Sequence, residues 1–299
     1  MKVHVRSVGL LGPGLASWVA AQAVLRGTEP HVSARTVLSP PARLPPAERR
    51  RAGDAIKLAM AVADEAVAAA ALDPQTLATV FASSSGEGTN CHVICETLAS
   101  DNRLISPTRF SNSVHNAPSG YWHIAVASRA PSTSLCAFDG SFAAGLLEAA
   151  TQCLSTQAPV LLVGSDTPYP EPLHATRPLA DGFGMALVLT PQPDDYSLAA
   201  LHIELVDASA APLSQCSQTS LEFLRAHTPA ARAMPLLQAL ARDVSREISN
   251  DTSGTSDTGG TCGDIHTSGG SATTQTLTID YLPTLAMRVS VTSTVRATP

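Results

Sequence analysis

Residues 132 to 154 carry the densest chemical signal in the chain. Ser132 to Ala137 reads as a strand, Gly140 to Leu154 reads as a helix, and only Phe138 and Asp139 lie between them. A strand that turns this sharply into a buried helix sets its turn residue at the helix N-terminus. There the helix dipole favours a thiolate, and free backbone amides can hold an oxyanion. A thiol, Cys136, and a carboxylate, Asp139, both lie close to that turn. Asp139 also has a plain structural use, because an acidic residue at a helix start caps free amides and complements the dipole. Cys136, small and set within SLCAF, equally suits the core of a strand.

Other groupings are weaker. His115 and Asn116 sit in the polar loop Ser106 to Gly120, where they could contact a substrate or tie the loop together by hydrogen bonds. His123 and its neighbours Tyr121 and Trp122 read as structural. Asp166 ends a strand and carries little information of its own. Cys91 and Cys95 would share a helix face with His92 between them, but no second pair at ligand spacing accompanies them, so no metal is expected. The run from Ser83 to Gly88 lacks the lysine and glycine spacing of a phosphate-binding loop.

The elements that must position these groups alternate between strand and helix. Val3 to Leu10 reads as a first strand, and Gly12-Pro13-Gly14 turns it into a helix from Ala16 to Leu25. A proline-studded loop spans Pro30 to Pro46, and strong helix formers run from Gly53 to Leu72 until Asp73-Pro74 stops them. Thr79 to Ala82 is a short strand, and Asn90 to Ser100 and Ser119 to Ser128 are helices. The 140–154 helix is apolar on nearly every side, which places it inside the protein. Val160 to Gly164 and Gly184 to Leu189 are continuous apolar runs, the pattern of strands covered on both faces. This alternation implies a layered α/β fold. Beyond Pro193 come a strand at Leu201 to Val206, a helix at Pro229 to Ile248, a Ser/Thr/Gly-rich stretch at 249–275 read as a flexible insertion, and a hairpin from Thr276 to Tyr281 and Leu285 to Val291.

Composition narrows the function classes. The 299 residues carry a formal net charge of -6 with only two lysines, Lys2 and Lys57, so nucleic acid is not an expected partner. No apolar run reaches the ~18 residues that span a bilayer, and glycines and Pro13 break the first apolar stretch, so a cytoplasmic location is expected. The six cysteines read as reduced thiols.

The order of these segments resembles the β-ketoacyl synthases of the thiolase-like group. FASSSGEG (Phe81 to Gly88), SPTRFSNSVHNAPSGYWHIAV (Ser106 to Val126), the 132–154 stretch, VLLVGSDTPYPEP and RPLADGFGMALVL follow one another as in that family. The SPTRF, SVHN and SGY portion resembles a shortened subgroup. The resemblance implies a layered α-β-α-β-α fold, with residues 1–194 as a complete N-terminal domain and 195–248 with 276–299 as a reduced C-terminal portion. The family's nucleophilic cysteine then falls on Asp139, with Cys136 as the fallback.

An active decarboxylating synthase also needs two histidines and usually a lysine after its cysteine. Here His174, His202, His227 and His266 stand in none of the family's histidine settings, and no lysine follows Lys57. By resemblance the chain is therefore expected to be a non-catalytic subunit of the chain-length-factor type, without a cofactor. It would form a heterodimer with an active β-ketoacyl synthase and meet an acyl carrier protein through that partner, in synthesis of an aryl polyene or similar polyketide. Ser132, Thr133, Ser134, Leu135, Cys136, Ala137 and Phe138 are the expected partner contacts. Phe110, His115, Asn116, Phe138, Phe142 and Leu146 are the expected lining of an acyl tunnel. An active condensing acyltransferase using Cys136 and a stand-alone acyl-binding scaffold are the other readings. A half so reduced would expose apolar surface if it stood alone, and such surface usually marks an interface.

Overall fold

The computed structural model describes residues 1–250 and 273–293, without the side chains of 243–250. The first part of the chain runs β1 (Lys2–Leu11), α1 (Trp18–Arg26), α2 (Pro46–Arg51), α3 (Asp54–Ala70), β2 (Ala78–Ala82), α4 (Gly88–Ala99), α5 (Pro107–Asn112), α6 (Ala117–Val126) and β3 (Ser132–Leu135). A 3-10 turn at Phe138–Gly140 leads into α7 (Ser141–Thr156), followed by β4 (Val160–Asp166), α8 (Leu173–Thr176) and β5 (Phe183–Thr190). The remainder is β6 (Ala199–Asp207), α9 (Thr219–His227), a 3-10 turn at Pro229–Ala233, α10 (Met234–Asn250), β7 (Thr274–Leu282) and β8 (Leu285–Ser293). Of the Ser/Thr/Gly-rich stretch, residues 251–272 lie outside the described residues.

The eight strands among the described residues join one sheet in the order β3-β2-β4-β5-β1-β6-β8-β7. β2, β3 and β4 are parallel, and every other pairing is antiparallel. Every residue of β4 and β5 is buried, as continuous apolar runs require when helices cover both faces. One cover is α3, an alanine-rich helix that lies on β1, β4 and β5 and packs against α6. Gly9 makes that contact close, since a Cβ there would meet the Val62 carbonyl oxygen at 2.0 Å.

On the opposite face α7 lies against β2 and β4 and also touches β7, while α10 touches β7 and β8. The sheet thus curls around α7 and α10, giving the helix, sheet, helix and sheet layers of the thiolase-like plan. No second outer helical layer is present among the described residues. The outer face of β6, β8 and β7 carries polar pairs. Thr274 faces Thr292 at 2.9 Å, Thr276 faces Ser290 at 3.2 Å, and Arg288 pairs with Glu204 at 3.2 Å. Hydroxyls and charges on that face bond to one another or to water, so no covering layer is required there.

Four short elements depart from the sequence reading, one of them α8, which forms between β4 and β5 where no element was expected. α2 begins at the last proline of the expected loop, where Pro46 suits the first turn of a helix. α5 forms inside the expected polar loop, again with proline in its first turn. α9 forms where no element was expected.

Candidate functional site

The parallel strands β2, β3 and β4 bring their carboxyl ends to one side of the sheet, the side on which open α/β sheets bind ligands. Ser83 follows β2, Cys136 follows β3, and Asp166 closes β4.

β3 stops at Leu135, two residues before the expected end of the strand. Its last pairing with β2 joins Leu135 to Ala82. The chain then turns with Phe138 at φ 50, a left-handed conformation uncommon for a non-glycine residue and several-fold rarer for a bulky one. Ser141 holds the turn closed. Its hydroxyl accepts from the Ala137 amide at 3.0 Å and donates to the Phe138 carbonyl at 2.7 Å. Gly140 is required next to Asp139 because a Cβ there would lie 2.2 Å from the Tyr281 carbonyl oxygen. Asp139 thus stands in the turn that enters α7, while Cys136 lies three residues earlier, with its thiol donating to the Ser84 carbonyl at 3.3 Å.

The Asp139 side chain is 40% exposed and paired on both sides. Arg177 Nη2 donates to its Oδ1 at 2.5 Å, and Arg232 Nη2 lies 3.2 Å from its Oδ2. Arg232 also donates to Asp280 on β7 at 2.5 Å, so the turn, the Pro229–Ala233 segment and the hairpin form one chain of charges. The Arg177 guanidinium stacks over the Phe138 ring, 3.8 Å from its centroid. Burial works to lower the Arg177 pKa, but the Asp139 carboxylate and Tyr169 outweigh it and the value is raised. A carboxylate held between two guanidiniums is committed to ion pairing. An acyl-carboxylate anhydride formed on it would in any case hydrolyse readily.

Asp166, only 2% exposed, is the hub of the site. Its Oδ1 accepts from the Ser84 amide at 2.7 Å, the Ser84 hydroxyl at 2.8 Å and the Ser83 hydroxyl at 3.2 Å, and its Oδ2 accepts from the Ala230 amide at 2.8 Å. Burial pushes its pKa up against those bonds.

The expected tunnel residues do not gather into one wall. Phe142 and Leu146 are buried in the main core beneath α7. Phe110 on α5 and Phe138 at the turn are 63% and 61% exposed. His115 Nε2 lies 3.1 Å from the Ser83 carbonyl, with its ring against Gly86, so it ties the loop after β2. Asn116 is exposed at the start of α6. Of the expected partner contacts, Ser132 to Leu135 form β3, an edge of the sheet, and Cys136 to Phe138 form the turn. Cys91 and Cys95 are exposed on α4, and His92 turns to Glu96 at 3.2 Å. Among the described residues no three potential metal ligands converge, and no helix is long and apolar enough to cross a membrane.

Arg177, Arg232, Asp280 and the hub role of Asp166 escaped the sequence reading. Arg177 opens RPLADGFGMALVL and Arg232 lies in HTPAARAMPLLQALA, but nothing local pairs either with Asp139.

Residues 18–245 match the sequence profile described as the β-ketoacyl synthase N-terminal domain. The chain belongs to that family. No curated protein sequence matches this ketosynthase-family chain. Among solved structures it is similar to a chain of the ketosynthase ApeO in complex with its chain length factor ApeC from Xenorhabdus doucetiae, at 19% identity and a TM-score of 0.66 over 98% of this chain and 99% of that one. It is also similar to the ishigamide ketosynthase/chain length factor, at 13% identity and 0.64 over 98% and 99%. A third likeness is to a type II polyketide synthase complex of an acyl-carrier protein with its ketosynthase, at 12% identity and 0.67 over 98% and 99%. At these identities the likeness shows the ketosynthase fold.

Proposed function

We propose that this chain is a non-catalytic ketosynthase-like subunit of the chain-length-factor type, pairing in the cytoplasm with an active β-ketoacyl synthase in bacterial polyene or fatty-acid-like biosynthesis. The observation that carries the reading is Asp139, standing in the turn into α7 where the family resemblance puts the nucleophile, with its carboxylate tied to Arg177 and Arg232. The downstream histidines support it. His202 and His227 are exposed, and His227 is occupied with the Phe223 carbonyl at 2.9 Å. The similar structures that contain chain length factors support the choice of partner. In this reading β3 and the turn up to Phe138 meet the partner subunit, which brings the acyl carrier protein.

The test is co-expression with an active β-ketoacyl synthase, followed by purification and a condensation assay. A stable heterodimer that needs this chain for full-length product, with no condensation by this chain alone, is expected. Asp139→Cys does not restore condensation, since the other catalytic groups are missing. A chain that ignores the synthase, or one that condenses alone and loses activity when Cys136 is alkylated, overturns the proposal.

A further inference from the structure

On the same side of the sheet, beside β1's exit and β5's entry, lies an open cavity of about 390 Å³, within the usual range for small-molecule sites. Ala34, Ala180, Phe223 and Leu224 give it apolar walls, and Arg35 and Asp181 give it one charge of each sign. We propose that it binds an anionic group carried on a short apolar or aromatic stem, with Arg35 taking the anion and Phe223 the stem. This inference does not depend on the partner proposed above.

The argument rests on how the cavity is built. Residues 30–36 have no regular secondary structure, yet long-range hydrogen bonds pin them around the cavity. Gln218, the residue before α9, accepts from the His31 amide at 2.6 Å. The Gly14 amide donates to the Ala34 carbonyl at 2.9 Å. Thr36 donates its amide to Asp181 and its hydroxyl to the Gly182 carbonyl, each at 2.7 Å. Gly14 is forced here, because its φ is +70 and a Cβ would meet the Val32 carbonyl oxygen at 2.2 Å. A loop held this firmly costs little further ordering when a ligand arrives.

Within this pinned frame Arg35 has neither an ion pair nor a side-chain hydrogen bond among the described residues. Arg6, Arg43, Arg51, Arg177, Arg225, Arg232 and Arg288 have carboxylate partners; Arg35, like Arg50, Arg103 and Arg129, has none among the described residues, and of these four it is the one that lines this cavity. A guanidinium offers five donors in a fork that fits carboxylate or phosphate. Asp181 makes no ion pair with Arg35; its oxygens accept from the Thr36 and Gly182 amides, which hold it at the loop side of the cavity. Phe223 is half-exposed on the wall, stacked on His227 at 4.2 Å. Val32 and Val37, exposed on either side of Arg35, extend the apolar rim.

The test is saturation-transfer NMR on the full chain, with octanoate as probe, octanol as the uncharged control and phosphopantetheine as a second anion. Saturable binding of at least one anion is expected. Arg35→Gln weakens it about tenfold or more, as loss of a charged hydrogen bond does, and leaves octanol unchanged. Phe223→Ala weakens octanoate and octanol alike. Both side chains are exposed, so the variants keep the wild-type melting temperature. Octanoate answering to Arg35 identifies a free carboxylate as the source, and phosphopantetheine alone doing so identifies a carrier arm. Absence of saturable binding by either anion, or binding indifferent to both substitutions, overturns the inference.

Discussion

Asp139 and Asp166 belong to the same side of one sheet and both reach the Pro229–Ala233 turn, yet they hold it by opposite means. Asp166 is buried and satisfied by amides and hydroxyls that carry no net charge. Asp139 is partly exposed and satisfied by two guanidiniums. The first arrangement is expensive to disturb, because its donors would be left dry. In the second the carboxylate itself is partly exposed, so water and salt can replace a lost partner at that end of the pair. The buried aspartate therefore serves the fold, and the partly exposed one ties the turn into α7 to its neighbours at smaller cost in stability.

That contrast can be broken by mutation. Asp166→Ala strands two buried amides and should cost about 3 kcal/mol or more in urea unfolding, the largest effect expected here. A loss below about 1 kcal/mol would remove Asp166 from its role as hub. Gly140→Ala forces a Cβ against the Tyr281 carbonyl and should cost roughly 1–3 kcal/mol as overpacking. Asp139→Asn should cost about 1 kcal/mol or less, and the difference from wild type should shrink in 1 M salt. If Asp139→Asn destabilises as much as Asp166→Ala, the comparison fails.

A pH series sharpens the same point. Glu87 is nearly fully buried, and burial, with Asp54 adding to it, raises its pKa above the ordinary 4.5 despite three backbone amides. The folded chain then holds a proton that the unfolded chain has released. Stability from this group is full below the ordinary value and is lost as pH rises through the raised one. Glu87→Gln should remove that decline, making the unfolding midpoint less sensitive to pH just above 4.5. An unchanged slope would show that Glu87 does not titrate in this way.

Much of the frame was legible in the sequence because burial leaves a periodic trace. The runs that became β4 and β5 are apolar without interruption, and α7 is apolar nearly all round, and both were read for what they are. The end of β3 was not legible. SLCAF continues a strand pattern, and the turn after Leu135 rests on the Ser141 hydrogen bonds and on the close fit of Gly140 against Tyr281, neither of which leaves a periodic trace. The partners of Asp139 were invisible for a related reason. Arg177 lies 38 residues away in sequence, and ion pairs between distant residues leave no periodicity. Asp166 looked uninformative because a strand-terminal aspartate reads the same whether it is solvated or buried among donors.

β1 lies between β5 and β6, so the N-terminal strand is the spine shared by both portions of the chain. Neither portion has a complete sheet without it, and the Asp166 bond to Ala230 closes a further link across 64 residues. The consequence is cooperativity. The strands on either side of β1 in the sheet should therefore melt together, and heat should unfold the chain in one calorimetric transition.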